Sequence, residues 1–429
     1  MAKRKPSGRP PQAEHASKSD PSQHDKRARL ASRNNERRST AQASVPLCGG
    51  IATLAVAMSQ MLDRRIAFRL PIILAGAMLA GGRRTAASWF RCAGVNDDWD
   101  RFYELLQGIG KNASSLMLPL LSFILRKFDP GEQGHWTLAV DDSPTKRFGP
   151  CVEAANIHHN PTPGPGDGNW LYGHNWVCLA MVLSHPMFGM MALPLLSRLY
   201  VRKVDIEAVN ARHGWEFRTK HELALDLCRQ VMQTLKALRS KAGFIVVFDG
   251  AYAAAALVRP LIAEGATIVT RLRSDAKLFD LPVATPGQRG RPRKYGKNRI
   301  SSDTSMSVEL ILKTVSDRWA IEEHFHDVKE IWGAGEQQVR NVWSNVGCWN
   351  LCGWLYAIVE LECWDETSEQ LVDRRDRPWD NPDRRPSHSD RRRIIARKML
   401  REAFLQDLPW TPNDYKIREQ FERLLALAA

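Results

Sequence analysis

The chain has 429 residues, of which 44% are hydrophobic, and it carries a formal net charge of +14. This length and composition suit roughly two to three domains with apolar cores, which excludes a wholly disordered chain. The charge predicts a positive field that attracts polyanions, and nucleic acid is the first expectation.

The N-terminal third divides into a polar segment and a helical segment. Residues 1–45 are rich in Lys, Arg, Ser, Pro and Gln, which is typical of a disordered basic tail that either solubilises the protein or contacts DNA. Nothing in this tail has the apolar stretch of a signal peptide, so export is not expected. Apolar residues recur at helical spacing over residues 46–130, which predicts a small helical domain with a candidate DNA-binding role. Arg83, Arg84 and Arg91 lie around one predicted helix start, where they either meet phosphates or form a solvated face.

The pattern changes to an α/β order in the middle of the chain. "HWTLAVDD" predicts a short strand that ends in acids, and the apolar run from Trp176 to Tyr200 predicts two strands joined by a turn rather than a membrane span. Residues 216–239 have helical periodicity, "GFIVVFDG" predicts a strand, "AYAAAALVRPLIAEG" a helix and "ATIVTRLR" a further strand. Three strands, a helix, a strand, a helix and a strand are the order of a ribonuclease-H-like α/β core with a mixed sheet flanked by helices.

The remainder of the chain combines a basic loop with further helices. Residues 281–300 are rich in Pro, Gly, Arg and Lys and predict a loop. Its Arg289, Arg291 and Arg293 resemble an AT-hook, so minor-groove insertion and plain phosphate contact both remain open. Helices are predicted over about 307–331 and 341–364, followed by a charged linker over 373–393 and final amphipathic helices. We therefore predict a catalytic domain over 131–345 and a C-terminal helical region over 346–429.

Acidic residues follow two of the predicted strands. Asp141 and Asp142 end the first, and Asp249 ends the strand "GFIVVFDG". The carboxyl ends of strands in open α/β sheets face a crevice, although Asp-Ser-Pro and Asp-Gly are also common turn sequences. Three converging carboxylates would hold two Mg²⁺ or Mn²⁺ ions, which can assist phosphoryl transfer.

The predicted helix 307–331 supplies a third acid. At 3.6 residues per turn, one stripe holds Val315, Arg318, Glu322, Phe325 and Lys329. Glu322 therefore faces the same side as Lys329, while Trp319 is expected to pack inward. Arg318 and Glu322, four residues apart, would equally form an ordinary helix ion pair. His324 and His326 lie on different faces and make a poor metal pair, and the eight cysteines, which lack a complete metal-binding spacing, are interpreted as reduced thiols.

These motifs together resemble the DDE transposases of bacterial insertion sequences, in the branch with a Tyr-Arg-Glu-Lys helix signature. The matching residues are Asp141 with Ser143, Asp249 with Gly250 and Tyr252, and Arg318 with Glu322 and Lys329. Two features depart from the family. Val315 replaces the tyrosine, and the interval from Asp249 to Glu322 is only 73 residues (322 − 249), which is short for this branch.

The resemblance implies the catalytic and metal-binding set Asp141, Asp249 and Glu322, with Asp142 as the alternative to Asp141. It further implies two Mg²⁺ or Mn²⁺ ions, DNA cleavage at terminal inverted repeats and strand transfer into target DNA. Arg318 and Lys329 would hold DNA phosphates, and the protein would act as a homodimer in a synaptic complex. We expect a cytoplasmic, nucleoid-associated protein without a membrane partner. A catalytically silent DNA-binding remnant and a ribonuclease-H-like nuclease without strand transfer are the alternatives.

Overall fold

A computed structural model of the chain describes residues 46–160, 168–271, 307–372, 379–406 and 415–428, except residue 382, with a few isolated positions between these ranges. The predicted tail, residues 1–45, lies outside the described residues. So does Arg289 of the basic loop, whereas Arg291 and Arg293 are described and exposed.

Helices fill the described part of the chain before the sheet. They are α1 (Gly49–Ser59), α2 (Arg64–Ala67), α3 (Arg69–Leu79), α4 (Ala86–Cys92), α5 (Trp99–Lys111) and α6 (Ala113–Phe128). Helix α4 begins where the sequence predicts, because the Thr85 side chain caps it by accepting a hydrogen bond from the Ser88 N–H. Among the described residues no single helix is long and apolar enough to cross a membrane, and only the bent pair α5 and α6 meets that length and composition together.

A six-stranded mixed sheet forms the centre of the fold. Its strands are β1 (His135–Lys146), β2 (Asn156–His159), β3 (Trp170–His185), β4 (Gly189–Tyr200), β5 (Gly243–Phe248) and β6 (Ala266–Thr270). The order is β2-β3-β1-β5-β6, and β4 pairs with β3. Strand β1 runs antiparallel to β3 and parallel to β5, and β5 runs parallel to β6. The predicted α/β ribonuclease-H-like fold is confirmed, including the hairpin β3–β4.

Further helices follow and flank this sheet. They are α7 (Ile206–His213), α8 (Lys220–Ala237), α9 (Ala255–Ala263), α10 (Val308–Asp317), α11 (Ala320–Glu330), α12 (Val342–Glu362), α13 (Ser368–Leu371), α14 (His388–Gln406) and α15 (Tyr415–Ala428). Helix α12 is buried over almost its whole length, which explains why its sequence is apolar on all sides. It packs against α5 and β4, so the N-terminal helices and the sheet share one core.

Three predicted boundaries are wrong. Strand β1 does not end at its acids, because its antiparallel pairing with β3 continues to Lys146 opposite Gly173. The helix predicted over 307–331 is two helices, since a tight turn at Arg318 and Trp319 separates α10 from α11. Helix α14 begins at His388, inside the segment 373–393 that we interpret as a linker. The first two errors arise because contacts with a distant segment, β3 for β1 and Asp141 for Arg318, override the local pattern. The third misses a local capping pattern, in which the Ser387 hydroxyl accepts a hydrogen bond from the Asp390 N–H.

Candidate active site

Asp141 and Asp249 stand side by side on neighbouring parallel strands. The parallel register of β1 and β5 ends at Val140 opposite Phe248, and each aspartate is the next residue. Adjacent strands lie about 4.8 Å apart, so the two carboxylates lie close together where the parallel pairing of β1 and β5 ends. The Asp249 carboxylate also accepts a hydrogen bond from the Ala251 N–H at 3.1 Å, which fixes the turn that follows β5.

The Asp141 carboxyl group lies in an environment that disfavours its charge. Burial raises its pKa to about 7, and the nearby charges of Asp249 and Asp142 act in the same direction. The Asp142 N–H, at 2.8 Å from Asp141 Oδ1, and the Arg318 guanidinium oppose this shift. A half-buried pair of carboxylates of this kind is stabilised by a cation.

Asp142 points to the opposite face of the strand, as alternation along a strand requires. Its Oδ2 lies 2.6 Å from Lys220 Nζ, and its Oδ1 accepts a hydrogen bond from the Tyr252 hydroxyl at 3.2 Å. Asp142 is therefore engaged in contacts that join β1 to α8 and to the turn after β5. This geometry gives Asp141, rather than the alternative Asp142, the position beside Asp249.

Arg318 joins the first and third predicted acids. Its Nη1 donates to Asp141 Oδ2 at 2.7 Å, and its Nη2 donates to Glu322 Oε1 at 2.9 Å. The tight turn between α10 and α11 holds this side chain under the sheet edge, where it is buried. The helix ion pair between Arg318 and Glu322 is thus present, and the same guanidinium also brings Glu322 to the sheet. The role of Arg318 in binding DNA phosphates stays a prediction, because both of its Nη atoms donate to carboxylates here.

The three acids suit a hard divalent cation by their chemistry. Carboxylate oxygens are the ligands that Mg²⁺ and Mn²⁺ prefer, and a cation would favour the charged form of Asp141, whose pKa is raised by burial and, to a smaller extent, by the neighbouring acids. Within the described residues, no group of three His, Cys, Asp or Glu side chains converges at metal-binding distance. The Arg318 guanidinium lies between Asp141 and Glu322 and offsets their negative charge.

Other residues singled out from the sequence lie elsewhere on the helix. Lys329 is half-buried, and burial lowers its pKa. The expectation that Trp319 packs inward is wrong, because the helix break leaves it 56% exposed. His324 is buried and burial lowers its pKa to about 3, whereas His326 is exposed. The two histidines lie on different faces, as the spacing predicts.

A large basic cavity lies beyond the acids along β1 and α11, and it was not foreseen from the sequence. Its volume is about 880 Å³. Its cationic lining residues are Arg83, Lys146, Arg147, Lys329 and Arg340, and its acidic ones are Glu330 and Glu336. These side chains come from three distant parts of the chain, so spacing could not group them. The only local signal was the basic run Lys146-Arg147 directly after the first pair of acids.

The fold is of the ribonuclease-H-like class, and it places acids on adjacent parallel strands and on the helix that follows the sheet. A family model described as DDE superfamily endonuclease matches residues 57–323, more than half of the chain and a span that includes all three acids. The chain therefore belongs to this DDE-type transposase family. Its nucleases act on DNA and generally use divalent metal ions. A search of curated proteins finds no match.

Proposed function

We propose that the protein is a transposase that cleaves DNA strands at the ends of its element and joins them to target DNA with the help of Mg²⁺. The observation that carries this proposal is the placement of Asp141 beside Asp249 with Glu322 tied to Asp141 through Arg318. Family membership supports a DNA-acting nuclease. The step from nuclease to strand transferase rests on the resemblance of the three motifs to those of insertion-sequence transposases.

Asp141, Asp249 and Glu322 would hold the metal ions. Two such ions activate an attacking oxygen and stabilise a leaving oxygen in phosphoryl transfer. Before metal binds, Arg318 keeps two of these carboxylates close together and offsets their repulsion. The contacts of Lys220 and Tyr252 with Asp142 fix the adjacent residue of β1 and so orient Asp141. Basic side chains around the acids would hold DNA phosphates, and two copies of the chain would bring two ends together.

Two departures from the branch bear on the strength of DNA-end binding. Val315 is half-buried on α10 and lacks the hydroxyl group that a tyrosine would offer to a phosphate. The short interval between Asp249 and Glu322 contains residues 272–306, most of which lie outside the described residues. A silent DNA-binding remnant and a nuclease without strand transfer therefore remain the competing functions.

The experiment that separates these functions uses the element's own terminal inverted repeats. The purified chain is incubated with a linear DNA that ends in these repeats and with a supercoiled target plasmid, and the products are sequenced. A transposase yields repeat ends joined to the plasmid, and the joining requires Mg²⁺. Cut ends that never join would indicate a nuclease, and uncut DNA that is nevertheless bound would indicate a remnant.

Asp142→Asn provides a matched control for Asp141→Asn. Both changes remove one negative charge from the same strand end, but only Asp141 faces Asp249. We expect Asp141→Asn to abolish joining and Asp142→Asn to retain it at a reduced level. Equal loss in both variants would contradict the assignment of Asp141.

A further inference from the structure

Two of the elements that carry the acids, β1 and α11, continue into the wall of the basic cavity. Strand β1 bears Asp141 and then runs to Lys146 in the cavity wall, while α11 bears Glu322 and then runs to Lys329 in the same wall. Five residues of strand span about 17 Å and seven residues of helix about 10 Å. With about 3.4 Å of rise per nucleotide in one DNA strand, the cavity is three to five nucleotides away from the acids.

Arg147 places a buried positive charge in the wall of this cavity. Its exposed fraction is only 6%. Its Nε donates to His174 Nδ1 at 3.1 Å and its Nη1 donates to the Gly335 carbonyl. His174 in turn meets the Glu153 carbonyl through Nε2, at 2.9 Å, so its ring is the neutral tautomer and adds no negative charge. None of the ion pairs formed among the described residues includes Arg147.

An uncompensated buried guanidinium is costly, and an anion that enters the cavity would offset that cost. Lys329 and Arg340 also line the cavity without an ion pair to any described residue. The acids of the lining are fewer, and Glu336 is engaged with the Arg84 N–H at 2.8 Å. The charge of the cavity therefore suits a chain of phosphates rather than a cation.

Phe148 adds an aromatic surface to this basic cavity. It follows Arg147 directly, lines the cavity and is 81% exposed. No aromatic ring of the described residues stacks on it, so its ring faces are free to contact a ligand in the cavity. Phosphate-binding cations beside an exposed aromatic ring are the combination that binds unpaired nucleic acid, where bases stack on the ring.

We propose that the cavity holds an unpaired stretch of DNA strand next to the cleavage site, with a base stacked on Phe148 and the backbone phosphates facing Arg147, Lys329 and Arg340. This inference rests on the proposed function, because a protein that cuts and joins DNA ends handles strands near the cut. It adds Phe148 and Arg147 as binding residues that the sequence motifs do not include.

The test measures strand binding without any chemistry. Binding of a short oligothymidylate that contains one 2-aminopurine is followed by fluorescence anisotropy and by 2-aminopurine emission, with EDTA present. Phe148→Ala is expected to raise the Kd about tenfold and to remove the emission change, whereas Phe148→Trp retains both. Trp379→Ala is the matched control, since Trp379 is 80% exposed and does not line the cavity. Arg340→Gln is expected to lower the slope of log Kd against log salt by about 0.7.

Binding to a DNA duplex is the control that separates base stacking from electrostatic attraction to the phosphates. Phe148→Ala should leave the Kd for a duplex of matched length within about twofold, because paired bases do not reach the ring. Equal Kd values of wild type and Phe148→Ala for the single strand would overturn the inference, as would equal losses for single strand and duplex. Since no divalent ion is present, a protein that never cuts DNA can still show the Phe148 effect. The binding test can therefore succeed even if the protein is not a transposase, and it can fail even if the protein is one.

Discussion

Arg318 is the residue that connects the helix motif to the sheet. Its guanidinium reaches both Asp141 and Glu322, although these residues are 181 positions apart (322 − 141). Sequence spacing predicted the contact with Glu322, because residues four apart meet on a helix. The contact with Asp141 depends on the tertiary structure and could not be predicted from spacing. A cation held between two acids also explains how they stay close before a metal ion binds.

His174 allows a pH prediction at the scale of one residue. Burial and the adjacent Arg147 lower the pKa of its ring to about 3, from 6.5 in an unfolded chain. The unfolded chain therefore takes up a proton below pH 6.5 while the folded chain does not. The stabilisation from this group is complete above that pH and is lost as the pH falls toward 3.

We expect the difference in unfolding free energy between wild type and His174→Asn to shrink by about 1.4 kcal/mol per pH unit below about pH 6. Urea unfolding at three pH values between 7 and 5 would measure it. Asparagine does not titrate in this range but can accept the hydrogen bond of Arg147. A difference that stays constant with pH would contradict a neutral, buried His174.

At the scale of elements, the order of strands and helices was predictable and their ends were not. Apolar runs and turn residues located each of β1, β3, β4, β5 and β6, whereas the four-residue β2 is too short to show a period. The break between α10 and α11 contains neither Pro nor Gly. It coincides with the two carboxylate contacts of Arg318, and the one with Asp141 leaves no trace in the local sequence.

The crossing of α5 and α12 depends on two glycines that face each other. A Cβ atom on Gly347 would lie 2.1 Å from the Leu106 carbonyl oxygen, and one on Gly110 would lie 1.9 Å from the Trp343 carbonyl oxygen. These contacts are to backbone atoms, which cannot move aside without separating the helices. The N-terminal helices therefore pack on α12 at a distance that only glycine permits.

Gly347→Ala is expected to lower the unfolding free energy by about 2–4 kcal/mol, because it forces the two helices apart. Chemical denaturation of the purified variant would measure this loss. Gly81→Ala is the control, since its added Cβ would meet nothing within 4 Å, and its effect should stay within about 0.5 kcal/mol. Similar stability of the two variants would show that the crossing tolerates a larger separation.

At the scale of the whole molecule, a buried polar cluster attaches helix α14 to the core. Glu360 on α12 accepts hydrogen bonds from Arg391 Nη2 at 2.7 Å and Nε at 3.0 Å, and it contacts His388 Nδ1. The Trp332 indole N–H donates to His388 Nε2 at 2.8 Å. Burial alone would raise the pKa of Glu360, but His388 and Arg391 together lower it. The cluster thereby joins α14 to the segment that follows the Glu322 helix.

Arg391→Met should cost about 3–5 kcal/mol of unfolding free energy, because it leaves the buried Glu360 charge without its guanidinium partner. Adding Glu360→Gln to this variant should restore part of the loss. Arg423→Met removes an exposed pair with Glu419 and should change stability by less than about 1 kcal/mol. Thermal and denaturant unfolding would compare the variants, and equal effects of Arg391→Met and Arg423→Met would rule out a structural role for the cluster.

The sequence located the three acids but not their surroundings. Asp141, Asp249 and Glu322 each follow or lie on an element that periodicity identifies, so their approach could be argued from strand ends and helix faces. The basic cavity is assembled from segments around Arg83, Lys146, Lys329 and Arg340. Only the folded chain brings these segments together, and most of the basic loop 281–300 lies outside the described residues.

The central claim is that Asp141, Asp249 and Glu322 act as one metal-dependent site that cuts DNA. The most direct measurement is nicking of a supercoiled plasmid that carries the terminal inverted repeats, by wild type and by Asp141→Asn, Asp249→Asn and Glu322→Gln, with Mg²⁺ and with EDTA. We predict that wild type nicks the plasmid only with Mg²⁺ and that each variant, folded as judged by circular dichroism, loses at least about a hundredfold in rate. Nicking that persists in EDTA, or in any of the three variants at the wild-type rate, would contradict the account.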